Sequence, residues 1–259
     1  MNIADIVDFG RYPLGNEDFG TKARSSLNEN GVLVLEEFIR PEALAMMQAE
    51  ALTGQDQAYF CTQSHSVYLT PPNPEFDASH PANRQVESSK GCICDDAVSP
   101  TSPLRTLYND PSFHSFIKQV TGEAELHPYV DPLSSINIHY ATRGQELGWH
   151  FDNSSFAITL LIQKPDAGSR FEYVKDLRDA SAGDMNYEGV RAVLDKELKP
   201  QILNMDQGTL VLFRGRNSIH RVSPNESDKT RMLAVLAYNS EPDVELSESA
   251  RMTFYGRLN

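Results

Sequence analysis

The sequence predicts a mainly β fold, a barrel or double-sheet jelly roll with helices packed on its outside. Three observations carry that expectation. From Leu126 onward the chain is a series of short β-rich runs: "SSINIHYA", "FAITLLIQ", "RFEYV", "GTLVLFRG" and "RMLAVLAYN". Turn segments such as "KPDAGS" and "SPNESD" separate them, as in all-β domains. The residues ahead of Leu126 show helix spacing and helix stop signals instead.

Taken in order, "GVLVLEEF" (31–38) reads as a short strand closed by polar residues. "RPEALAMMQAEALTG" has a proline near its start, apolar residues at helical spacing and a glycine stop, so it reads as a helix. From Tyr59 to Pro100 the composition turns to Pro, Ser, Asn and Asp, which predicts a long irregular excursion and a candidate lid. A second helix is expected from Ser102 to Val120, ending at Thr121-Gly122. One helical insertion, Asp184 to Leu198, interrupts the later strands. The expected organisation is a single domain over 1–259, with a helical and loop part (1–125) and a β core (126–259).

Composition narrows the function classes. Apolar residues make up 40% of the chain, enough for a sizeable core. The net charge of −13 lacks the cationic stripe that a nucleic-acid or anionic-membrane surface needs. No apolar run approaches the length of a membrane span, and "MNIADIVDFGRYPLG" has no signal-peptide pattern. Cys61, Cys92 and Cys94 are too few and too unevenly placed for a disulfide framework. The expectation is a cytoplasmic protein, monomer or homodimer, acting on a small molecule.

The chemistry is concentrated in "GWHFDNSSFAITLLIQ". In an extended strand residues i and i+2 face the same side, so His150 and Asp152 aim a nitrogen and a carboxylate at one point. His220, after "GTLVLFRG" and a glycine-containing turn, lies on a new strand 70 residues later and is the candidate third ligand. Two histidines and one carboxylate leave three positions open on an octahedral ion, which suits non-haem Fe(II). Arg231 opens the otherwise apolar run "RMLAVLAY", where a buried guanidinium needs an anion. The distal carboxylate of 2-oxoglutarate is such an anion. Two rival readings remain open on residues alone. One is a non-catalytic jelly-roll protein with a structural zinc, which would need a fourth ligand. The other is a zinc hydrolase, which leaves Arg231 unexplained.

His150-x-Asp152, His220 and Arg231, in that order, resemble the Fe(II)/2-oxoglutarate-dependent oxygenase superfamily, whose fold is a double-stranded β-helix of the jelly-roll, cupin-like type. The flanking text, "LGWHFDNSSFAITLLIQ", "SRFEYV", "GTLVLFRGRNSIHRVSP" and "RMLAVLAYNSEPDVELSE", is similar to small bacterial enzymes acting on free amino acids. That group contains the carrier-independent radical amino-acid halogenases and their hydroxylase relatives. The similarity runs from about Ser134 to Arg257. The resemblance implies that Fe(II), 2-oxoglutarate and O2 are used, with succinate and carbon dioxide released as a C–H bond is oxidised. The halogenases carry a small residue in place of the ligand carboxylate so that chloride can bind. Asp152 therefore implies hydroxylation, with desaturation the nearest variant. The substrate class it implies is a free amino acid, a basic one such as lysine among the options. Other small molecules and peptide side chains are the alternatives.

Around the metal, Trp149 and Phe151 alternate with the ligands and are expected to face core. Thr159, Asn137 and His139 are candidates for the co-substrate pocket, although a histidine inside a strand also reads as a satisfied wall residue. Asn153, Ser154 and Ser155 follow the ligands closely enough to reach substrate or to steady Asp152. For an amino-acid substrate, Asp131 is the candidate partner of the ammonium. Arg84, Lys90, Arg214 and Arg216 are candidates for the carboxylate.

Overall fold

The computed structural model describes residues 1–259. Eleven strands form one curled, mostly antiparallel sheet. In chain order they are β1 (Val32–Leu35), β2 (Tyr59–Ser66), β3 (Gln85–Ile93), β4 (Ile136–Ala141), β5 (Leu147–His150) and β6 (Ala157–Gln163). They continue with β7 (Phe171–Val174), β8 (Gln201–Leu203), β9 (Leu210–Phe213), β10 (Ile219–Val222) and β11 (Arg231–Leu236). The spatial order is β1-β9-β6-β11-β4-β3-β5-β10-β7-β8, with β2 paired to β3. This is the jelly-roll core with flanking helices that the sequence predicts.

Period-two alternation divides the residues of each central strand between two environments. On β11, Met232, Ala234 and Leu236 enter the main hydrophobic core, while Arg231, Leu233 and Val235 line an interior cavity. On β4, Ile136 and Ile138 are core, and His139 and Ala141 face the cavity. The core side is covered by helices α1 (Ile3–Ile6), α2 (Glu17–Asn30), α3 (Pro41–Gly54), α4 (Pro103–Asn109) and α5 (Pro111–Thr121). Leu27, Met47, Leu107 and Phe116 from these helices are fully buried there. The helices therefore seal one side of the sheet and leave the other for chemistry.

Three expectations need correction. The span 59–100 is not a continuous irregular excursion. β2 and β3 pair over eight residues, from Tyr59 with Cys92 to Ser66 with Gln85. β3 then bridges the two parts of the sheet by pairing with both β4 and β5. β1, the strand expected at 31–38, pairs with β9, so both it and the β2–β3 pair carry the sheet into the N-terminal part of the chain. Second, the helix expected over Ser102–Val120 is two helices. Pro111 cannot continue the hydrogen-bond ladder of α4, and the Asp110 side chain accepts from Ser112 and Phe113 to cap α5. Third, the insertion forms a shorter helix, α6 (Tyr187–Leu194), capped by the Asn186 side chain. A further helix, α7 (Glu248–Tyr255), which the sequence reading did not mark, packs against β2 and β3.

Candidate metal and co-substrate site

β5 and β10 pair so that His150 and His220 stand directly opposite each other. Their rings lie 4.1 Å apart, centroid to centroid. Each Nδ1 is fixed by a backbone carbonyl two residues earlier, Gly148 at 2.8 Å for His150 and Ser218 at 3.0 Å for His220. A carbonyl only accepts, so both Nδ1 atoms carry the proton and both Nε2 atoms present lone pairs. Both Nε2 atoms converge on Asp152 Oδ1, at 3.6 Å from His150 and 3.5 Å from His220. The three ligand atoms lie within 4.8 Å of one another, the spacing of a shared cation.

The electrostatics suit a metal. Burial, reinforced by His220 alongside, lowers His150 to about 3, which keeps it neutral and able to ligate. Burial raises the Asp152 carboxyl, while positive charge at the neighbouring imidazoles, the place a cation would take among the three residues, brings it below the usual carboxylate range. Asp152 Oδ2 is buried without a hydrogen-bond partner. A buried carboxylate oxygen left unsatisfied is costly unless a cation completes it, and Fe(II) held by these three residues would do so.

Glycines allow this geometry at two points. The Asp152 backbone N–H donates to Gly215 O at 3.0 Å, holding the ligand against the β9–β10 turn. A Cβ on Gly215 would lie 1.8 Å from Asp152 Oδ2, so no side chain fits there. A Cβ on Gly148 would lie 2.4 Å from Glu87 O, where β5 crosses close to β3. Behind the metal strand, Trp149 and Phe151 face away from the ligands, as expected. They pack with Ile219 and with Val190 and Val193 of α6.

The triad opens into a cavity of about 380 Å³. Thr159 on β6, Arg231 on β11 and His139 on β4, three adjacent strands, line it. Arg231 is 7% exposed and has no carboxylate beside it; burial alone lowers its pKa, to about 10, so it remains a cation at neutral pH. An unpaired buried guanidinium facing the triad fits the far carboxylate of 2-oxoglutarate. Asn137 is placed differently. Its amide donates to Leu133 O and Ile136 O, accepts from Tyr255 Oη, and lines an adjoining cavity of about 180 Å³.

The residues expected at the substrate divide sharply. Ser154 lines the cavity. Arg216 donates to Asn153 O at 3.3 Å, on the segment that follows the ligands. Ser155 turns outward to Glu123. Asp131 is held elsewhere: its carboxylate accepts from Leu133 N, Ser134 Oγ and Leu246 N, so it knits two loops together. Arg84 pairs with Asp195 after α6, and Arg214 donates to Asn28 and Thr121 on the helical side. Sequence reasoning passed over Glu146 and His65, which also line the cavity. His65 Nε2 meets Ser88 Oγ at 2.7 Å, and its ring stands edge-on to His150. Glu146, Gly148 and His150 share one face by period-two alternation, and that was the available signal.

The profile of the Halogenase D family matches residues 16–254. No curated protein matches the chain. Among solved structures, the chain resembles the epimerase SnoN from nogalamycin biosynthesis in complex with Fe3+, alpha ketoglutarate and nogalamycin RO. Identity is 11% and TM-score 0.59, over 86% of this chain and 84% of that one. A Trichoplax adhaerens prolyl hydroxylase bound to a hypoxia inducible factor oxygen degradation domain peptide is similar at 12% identity and TM-score 0.55. There 86% of this chain and 90% of that one are covered. A 2OG-Fe(II) oxygenase family protein from Burkholderia pseudomallei shares 14% identity at TM-score 0.53, over 89% and 95% of the two chains. Such identities establish the fold, which this chain shares with 2OG-Fe(II) oxygenases, and His150, Asp152 and His220 are grouped so that they could hold a metal ion. Because the profile spans nearly the whole chain, this protein belongs to the Halogenase D family.

Proposed function

We propose that this protein is an Fe(II)- and 2-oxoglutarate-dependent hydroxylase of a free amino acid. The observation that carries the hydroxylase reading is Asp152. Its carboxylate converges with both histidines and occupies the third ligand position, where it adds negative charge and leaves no protein-side vacancy for a halide. Iron with 2-oxoglutarate and O2 supplies the oxidising power that turns C–H into C–OH, with succinate and carbon dioxide as the other products.

The chain's own groups do the rest. His150, Asp152 and His220 hold the metal, and Arg231 with Thr159 orients the co-substrate on the opposite wall. Phe171, Phe213, Val222 and Leu233 make much of the remaining lining apolar, which keeps water from the oxidising centre. For a free amino acid, Glu146 faces the ammonium. Burial raises its carboxyl, and no hydrogen-bond donor in the fold engages it. A basic amino acid such as lysine is the finer reading of that acidic contact. Arg216, exposed and outside the cavity lining, donates to Asn153 O next to the ligand segment and is the cation assigned to the substrate carboxylate.

The test is anaerobic titration with Fe(II) and 2-oxoglutarate, then exposure to O2 with each of the twenty amino acids. A charge-transfer band, succinate and a product heavier by one oxygen atom are expected. Absence of the band sinks the proposal. A band with succinate but no oxidised amino acid keeps the mechanism and removes the substrate class. Asp152→Gly is expected to abolish hydroxylation, and unchanged hydroxylation would show that Asp152 is not a ligand.

A further inference from the structure

Arg231 is not the only unpaired cation in the iron cavity. Lys90, on β3, lines the same cavity, and it also lines the adjoining one beside Asn137. Its Nζ lies 3.2 and 3.3 Å from the two ring nitrogens of His139 and 5.2 Å from the centre of the Phe254 ring. Neither contact neutralises it. Equidistance from both ring nitrogens places the ammonium over the imidazole face rather than along either lone pair, a contact that a neutral ring tolerates and a protonated one would repel. Consistently, burial and the two flanking cations, Lys90 and Arg231, push His139 well below its ordinary pKa. His139 therefore stands as a neutral spacer between a lysine and an arginine.

No carboxylate bears on either cation. Burial lowers the Lys90 pKa, and the only charges acting on it are the thiols of Cys92 and Cys61. Buried cations without an anion are destabilising, and folds keep them where a ligand completes the pair. Here two such cations flank one histidine on neighbouring strands, β3, β4 and β11, at the wall facing the triad. The ligand they fit is an anion with a concentrated charge at the end remote from the metal.

We propose that Lys90 and Arg231 form a two-cation seat for the far carboxylate of the co-substrate, with the neutral His139 ring packed between them. This rests on the proposed use of 2-oxoglutarate and adds a residue to its recognition. Arg231 grips the carboxylate as a planar fork, and Lys90 adds a point charge from β3. The seat would favour a dicarboxylic 2-oxoacid over a monocarboxylic one. It would also couple co-substrate binding to the β2–β3 hairpin, which α7 covers through Phe254.

The experiment compares wild type, Lys90→Met and Lys90→Arg, each loaded with Mn(II) in place of Fe(II) and titrated calorimetrically with 2-oxoglutarate. Lys90→Met preserves length and apolar volume while removing the charge. Its affinity for 2-oxoglutarate is expected to fall roughly ten- to hundredfold, the range for one charge-assisted contact. Lys90→Arg is expected to recover most of that loss. Mn(II) affinity should be unchanged in both variants. Without ligand, Lys90→Met should unfold at the same or a higher temperature than wild type, because an unpaired cation is gone; a purely structural lysine would lose stability. Equal 2-oxoglutarate affinity in wild type and Lys90→Met overturns the inference and leaves the proposed function standing. A raised KM for the amino acid with unchanged 2-oxoglutarate affinity also overturns it, by moving Lys90 to the primary substrate. Failure of wild type itself to bind 2-oxoglutarate would instead overturn the proposed function.

Discussion

The two faces of the central sheet use the same strands for opposite purposes. Toward the helices, β4 and β11 contribute Ile136, Ile138, Met232, Ala234 and Leu236, all essentially inaccessible to solvent. Toward the interior they contribute His139, Arg231, Leu233 and Val235, which line the cavity. One face is closed by packing alone. The other carries buried polar groups that the protein by itself does not satisfy: Asp152 Oδ2 without a hydrogen bond, Arg231 without a carboxylate. The comparison shows that fold and function share backbone but can be separated residue by residue, at intervals of two. A substitution on one face should damage one property and spare the other.

The largest effect belongs to the cavity face. His220→Ala removes a ligand from the triad, so bound iron and turnover are both expected to fall to background. Metal-free stability should fall only modestly, because the imidazole packs on Phe171 and Phe213 at the cavity wall and makes no contact with the main core. Metal analysis together with thermal unfolding of the metal-free protein checks both parts. Retained iron at full stoichiometry would break the assignment of His220, and wholesale unfolding would break the separation of the faces.

Ile138→Ala is the reciprocal change on the helix face. Ile138 is fully buried in the main core, and such truncations cost about 2–5 kcal/mol because the neighbours only partly collapse. Denaturant unfolding should register that loss. The fraction that remains folded should bind iron at wild-type stoichiometry, since the side chain points away from the cavity. A large loss of iron affinity in that fraction would mean that the faces are coupled through β4.

The same contrast explains what could be read from the chain. The core face announced itself, because "AITLLIQ" and "RMLAVL" are dense in β-formers that belong inside. The grouping of His150, Asp152 and His220 was legible because ligation needs particular residue types at i and i+2, and the burial of Arg231 because an arginine opening an apolar run is conspicuous. The β2–β3 pair was not legible. "YFCTQSHS" and "QVESSKGCI" supply polar side chains, Gln63, His65, Ser88 and Lys90, to one wall of the cavity, so they carry the composition of loops while forming strands. Substrate candidates failed for a related reason. Asp131, just ahead of the first barrel strand, and Arg84, in the segment read as a lid, are engaged first by partners in the fold: Leu133, Ser134 and Leu246 for one, Asp195 for the other. Sequence shows which groups could bind a ligand and does not show which are already engaged.

The smallest predicted effect, a pH dependence, sharpens the comparison because the ionisable histidines concerned lie on the cavity side. His150 falls from an ordinary value of 6.5 to about 3 in the fold, first through burial and then through His220. His139 is also pushed well down, by burial and then by Lys90 and Arg231. Between about pH 6.5 and 3 the unfolded chain therefore binds protons that the folded chain refuses. Stability rises with pH wherever the unfolded state holds more protons, so the metal-free protein should weaken steadily as pH falls through that window and level off above it. Thermal unfolding of metal-free protein from pH 7.5 to 4.5 reads this directly. His139→Gln should flatten part of the slope without removing a metal ligand, whereas Ile138→Ala should shift the whole curve down and leave its slope alone. An unchanged slope in His139→Gln would mean that this histidine is not held neutral between its two cations.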